Sequence, residues 1–146
     1  MKKTTFFLVL FLLFTGCGNK PRGYTVNPIT HNEISNQAIT RWLEETTDDS
    51  GYHDYIHSDP DSWDMLIYYP NANKTLEYVF YKYNKIEVVD STAKVYLTKE
   101  FAASDSDVVK DLLFVVTAPE RGAWPTKSEL FIDGEPIPHI SSDFSQ

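Results

Sequence analysis

The chain reads as an α+β domain: one N-terminal helix packed on an antiparallel β-sheet, or on a small β-sandwich, of about six or seven strands. Three features of the sequence predict this. Ile34, Ala38, Ile39, Trp42 and Leu43 fall on one face at helical spacing. From Trp63 onward the apolar period changes to two, which is the period of a half-buried strand. Asp133-Gly134 then separates two short apolar runs with the residue pair that best tolerates the positive φ angles of a two-residue hairpin turn.

The first residues precede this domain and have a different character. Lys2-Lys3 forms a basic start, residues 6–14 are an apolar run, and the small residues Thr15-Gly16 lead into Cys17, the one cysteine of the chain. This is the layout of a secretory signal. Nine apolar residues extend only about 14 Å as a helix, roughly half of a bilayer's hydrocarbon core, so the segment is too short for a permanent span. Phe14-Thr15-Gly16-Cys17 resembles the lipobox of bacterial lipoprotein precursors, with Phe14 where an aliphatic residue is usual. The resemblance covers about the first twenty residues. It implies that residues 1–16 are a signal peptide, that a diacylglycerol is attached to the Cys17 thiol, and that a peptidase cuts just before Cys17. The mature protein would then be held at the cell membrane by its lipid and face the extracytoplasmic side, with no cofactor beyond the acyl chains.

Loss of residues 1–16 leaves 130 residues, the size of one compact domain, with 21 acidic against 11 basic side chains and a formal charge of −10. Such acidity with scattered bases excludes a nucleic-acid partner, which needs clustered Lys and Arg to neutralise phosphates. Seventeen aromatics remain, enough to build a core and too many for a disordered chain. A single cysteine allows no internal disulfide, so stability must come from packing.

Residues 17–29 read as lipidated cysteine and tether, polar and rich in Pro and Gly, and residues 18–28 reach roughly 35 Å when extended. The globular domain is placed at residues 30–139. Thr30-His31-Asn32-Glu33 matches a capping box and predicts the helix start. Residues 46–61 are acidic and turn-rich and read as a long loop. Trp63, Met65, Ile67 and Tyr69 alternate, as do Leu76, Tyr78 and Phe80, with Pro70-Asn71-Ala72-Asn73 between them, which predicts a hairpin. Residues 86–89 and 93–97 flank Asp90-Ser91 and predict a second. Residues 112–117 are continuously apolar and predict a central strand, and residues 129–132 turn at Asp133-Gly134 into a last one. Residues 140–146 read as a flexible tail.

Two clusters have the composition of a site. His53 and His57 would share a face if their segment were helical, and Asp59 and Asp61 would complete a divalent-metal site. Tyr81, Tyr83 and Trp124 offer large aromatic contact area for a protein partner or a glycan. Catalytic motifs do not stand up. Ser91-Thr92-Ala93-Lys94 matches the Ser-x-x-Lys pattern of penicillin-interacting serine enzymes, but the companion motifs are absent and the stretch reads as a turn into a strand rather than a helix start. The sequence therefore points to a non-catalytic binding or interaction domain for an envelope protein, with a metal-dependent enzyme or a glycan-binding module as the alternatives.

Overall fold

A computed structural model of the chain describes residues 23–59, 62–74, 79–101, 110–119 and 124–141. The export segment, Cys17, Asp61 and residues 142–146 lie outside them. The elements in order are β1 (Thr25–Pro28), a three-residue 3₁₀ turn (His31–Glu33), α1 (Gln37–Glu45), β2 (His53–Asp59), β3 (Ser62–Tyr69), β4 (Val79–Val89), β5 (Thr92–Phe101), β6 (Leu112–Thr117), β7 (Lys127–Ile132) and β8 (Glu135–Ile137).

The α+β expectation is corrected. Among the described residues the structure is mostly β, with eight strands in two four-stranded sheets and one α-helix of nine residues. Sheet I has the order β1-β6-β3-β2 and is antiparallel throughout; sheet II has the order β4-β5-β7-β8. Sheet II is not purely antiparallel, because β5 and β7 run parallel. The cause is topological: β6 intervenes in sheet I and carries the chain back, so that β7 enters sheet II from the same end as β5.

The core lies between the sheets. Alternation along β3 turns Trp63, Met65 and Ile67 inward, where they meet Leu112, Phe114 and Val116 of sheet I and Val95, Leu97 and Leu130 of sheet II. On the opposite face of sheet I, Leu66, Tyr68 and Leu113 are also buried, against Ile39, Trp42 and Leu43 of α1. Strands β3 and β6 are thus covered on both faces, which is why residues 112–116 are apolar without alternation. Each fully buried large apolar side chain contributes roughly 1.5–3 kcal/mol.

Both ends of α1 have local causes. Glu33 Oε2 accepts from the Thr30 amide (2.6 Å) and hydroxyl (2.8 Å), but this closes only the 3₁₀ turn and does not start the helix as expected. Ile34 is extended, and a second cap follows: Asn36 Oδ1 accepts from the amides of Ala38 (2.9 Å) and Ile39 (3.3 Å). At the far end the Thr46 amide and hydroxyl both bond the Trp42 carbonyl.

The hairpin expected between β3 and β4 is also corrected, since these strands belong to different sheets. The chain leaving β3 is held by the residues that lead into β6: the Asn71 amide donates to Asp111 Oδ1 (2.9 Å) and the Asn73 amide to the Lys110 carbonyl (3.1 Å). The β4–β5 and β7–β8 hairpins form as read, with positive φ at Asp90 and Ser91 and at Asp133 and Gly134. Strand β1 lies inside the segment read as tether and pairs with β6 from Thr25 to Pro28. At the other side of the sandwich, the Tyr52 amide donates to the Pro138 carbonyl (2.9 Å) and the Ile140 amide to the Tyr52 carbonyl (2.8 Å), which joins the chain leaving sheet II to the start of β2.

Candidate functional site

The segment read as a metal-bearing loop is strand β2, and this separates its histidines. Residues four apart on a strand share a face but stand about 13 Å apart, too far for one ion. His53 is buried, and its Nε2 lies 2.9 Å from the Asp48 carbonyl, which only accepts; Nε2 therefore carries the hydrogen and ties the preceding loop to β2. Its Nδ1 is buried with no hydrogen-bond partner among the described residues. His57 faces Asp64 across the β2–β3 ladder, and Asp59 stands at the end of β2 opposite Ser62. Among the described residues no group of three or more His, Cys, Asp or Glu converges on a common point.

The three aromatics proposed as a binding surface are dispersed. Tyr81 packs against the core between the sheets, and burial there, with Tyr69 and Asp133 nearby, raises its phenol above the usual range. Tyr83 stands opposite Leu97 and is 38% exposed, whereas Trp124 precedes the segment whose Thr126 amide bonds Ser91 at the other end of β5. The chain from Ser91 to Leu97 separates the two positions by roughly 20 Å. The outer face of sheet II carries a different aromatic pair. Tyr96 and Phe131 stack at 4.8 Å and 13°, and Lys85 lies 4.6 Å from the centre of the Tyr96 ring from the opposite neighbouring strand. Both faces of Tyr96 are therefore occupied, which removes it as a platform for a sugar ring.

Sequence reasoning missed two constellations. The first joins the sheets. Asp54 points between them and accepts from Ser128 Oγ (2.5 Å) on β7, while His139 Nε2 lies 3.0 Å from its other oxygen. The Tyr52 hydroxyl donates to the Ser128 carbonyl at 2.7 Å, and burial pushes its pKa up to about 12. Although this brings Ser, His and Asp together, the order is wrong for nucleophilic catalysis. The carboxylate sits between serine and histidine, so no imidazole is placed to take the Ser128 proton. The group latches the sandwich. No local motif marks it, because Ser128 and His139 lie 74 and 85 residues from Asp54.

The second is a cleft of about 200 Å³ where the 3₁₀ turn and the start of α1 lean over the outer face of sheet I. Its walls are aliphatic: Ile29, Ile34, Ile39, Leu66 and Val115. Its polar members are Glu33, Ser35, Asn36, His57 and Asp64. Glu33 is held below the usual carboxylate range by the Thr30 amide and then the Thr30 hydroxyl. Asp64 Oδ1 accepts from Thr117 Oγ1 at 2.6 Å. Among the described residues no hydrogen bond reaches Asp64 Oδ2 or Glu33 Oε1. The cleft falls below the ~300 Å³ at which drug-sized sites begin, so it has room for a side chain rather than a cofactor. Of the described residues singled out in the sequence as site candidates, His57 lines it.

No protein-family model, no curated protein and no solved structure matches this chain.

Proposed function

We propose that this is a lipid-anchored binding protein, acylated at Cys17 and exposed outside the cytoplasm, whose sandwich domain engages another protein of the cell envelope. The anchor rests on the basic start, the short apolar run and Phe14-Thr15-Gly16-Cys17. Two acyl chains hold a protein to a bilayer stably where one does not. Because β1 begins at Thr25, residues 17–24 are what remains of the tether, a reach of roughly 26 Å when extended. Among the described residues no helix is long and apolar enough to cross a membrane.

The observation that carries binding rather than catalysis is the cleft beside α1. It combines an aliphatic floor with carboxylate oxygens left open to a ligand, while the Ser128-His139-Asp54 grouping has its serine hydrogen-bonded directly to the carboxylate. Replacement Cys17→Ser tests the anchor by membrane fractionation and by the mass of the mature N-terminus. The variant should stay unprocessed or leave the membrane fraction; unchanged maturation and fractionation would refute the reading. Crosslinking of the anchored protein from Cys residues introduced beside the cleft should recover a reproducible protein partner.

A further inference from the structure

We infer that the cleft beside α1 takes a lysine or arginine side chain, presented by the partner protein next to an aliphatic residue. This rests on the reading of the cleft as the binding site and adds the chemistry of its occupant. Among the described residues the lining holds two carboxylates, Glu33 and Asp64, and neither Lys nor Arg. Each carboxylate has one oxygen bonded within the domain, to Thr30 and to Thr117, which fixes its position and leaves the other oxygen for a ligand. The acids are anchored but do not converge tightly enough with His57 to hold a metal ion. Carboxylates spread in this way match a group with several donors on a long stem. The guanidinium of Arg has five N–H donors and the ammonium of Lys three, and both sit on methylenes that favour an apolar wall.

Size and charge exclude the other obvious occupants. A volume of about 200 Å³ accommodates a side chain and part of its neighbour, and not a nucleotide or a flavin. An anionic group would meet two carboxylates on a protein whose full sequence carries a formal charge of −8, whereas a cation is favoured both locally and by the overall field. An uncharged aliphatic group would cover the Ile and Leu floor but would strip water from the Asp64 and Glu33 oxygens without replacing it. A basic residue beside an aliphatic one satisfies both parts of the lining.

The test uses the full chain, ¹⁵N-labelled and in detergent micelles, titrated with acetyl-Leu-Arg-Leu-amide and, separately, with acetyl-Leu-Glu-Leu-amide. The Arg peptide should shift the Ile39, Leu66 and Val115 amide signals saturably, and the Glu peptide should leave them unmoved. Asp64→Asn retains the acceptor for Thr117 and should weaken the Arg peptide about 10-fold, the loss of one charge-assisted hydrogen bond. Glu33→Gln, which keeps its acceptor for Thr30, should act in the same direction, and a dispersed spectrum confirms that each variant is folded. Equal shifts with both peptides, or no weakening in either variant, would overturn the basic side chain while leaving the cleft as a binding site. No shift at the cleft with either peptide would overturn both.

Discussion

Ser128→Ala isolates the bond that latches the two sheets. The serine hydroxyl has one hydrogen, and at 2.5 Å from Asp54 Oδ2 it donates to a charged acceptor. The substitution removes that donor and almost no volume. Tyr52 keeps its own bond, because it donates to the backbone carbonyl of residue 128 and not to the side chain. Asp54 keeps His139 at 3.0 Å, and with a side chain 20% exposed it also keeps access to water. The loss is therefore one charge-assisted hydrogen bond, about 1.5–3 kcal/mol, without the larger penalty of a sealed unpaired charge. For a domain of this size that corresponds to roughly 6–12 °C in Tm. Asp54→Ala removes the same bond from the other side. The freed Ser128 hydroxyl has the Tyr52 oxygen at 3.3 Å as a substitute acceptor, and His139, 40% exposed, loses a partner of little value at the surface. Both single variants and the double variant should thus lie close together in urea unfolding followed by circular dichroism, with unchanged m and a coupling of about 1.5–3 kcal/mol. Additive single effects, or a Ser128→Ala cost under about 0.5 kcal/mol, would refute the latch.

Two further outcomes follow from the same packing. Burial raises the Tyr52 and Tyr68 phenols to about 12, with Asp54 adding to the first and Asp111 to the second. Both groups keep their protons in the folded protein while the unfolded chain loses them near pH 10, so this stability is complete below pH 10 and is lost as the pH rises toward 12. Absorbance at 295 nm should show a late-titrating group of tyrosines that includes Tyr52 and Tyr68 and ionises together with alkaline unfolding; ionisation of all nine near pH 10 in a folded protein would contradict the burial. At Gly51 a Cβ would lie 2.1 Å from the Pro138 carbonyl oxygen, which itself bonds the Tyr52 amide. Gly51→Ala should displace residues 138–140 and cost about 1–3 kcal/mol, read as a lower urea midpoint and faster exchange of the Tyr52 and Ile140 amides.

How much of this was legible depended on whether the cause was local. The β4–β5 and β7–β8 hairpins were readable because Asp90-Ser91 and Asp133-Gly134 set their own backbone angles. The α1 stripe was readable from its spacing, but its start was misplaced because two capping sequences stand six residues apart and only Asn36 opens the helix. Strand β2 was read as a loop because His53-Asp54-Tyr55-Ile56-His57 carries polar groups on both faces. One face carries the buried His53 and, against Trp42 of α1, Tyr55, and the other reaches Ser128 between the sheets, so neither shows the apolar alternation of an ordinary strand. Strand β1 hid in a polar, Pro-containing stretch for a related reason: it is a four-residue edge strand with little side-chain burial, held by its ladder to β6.

Unaided, the sequence determined which stretches are apolar at periods of two or 3.6, where the chain turns, and the pattern ending at Cys17, since each depends on residues within a few positions of one another. Tertiary structure decided which strands share a sheet. The β3-to-β4 connection crosses between the sheets because Asn71 and Asn73 bond residues 110 and 111, and β5 meets β7 in parallel because β6 lies elsewhere. It also decided the site. Glu33, Asp64 and Val115 are brought to one cleft only by the pairing of β3 with β6 beneath the 3₁₀ turn, and a single chain of residues carries no local sign of contacts made so far along it.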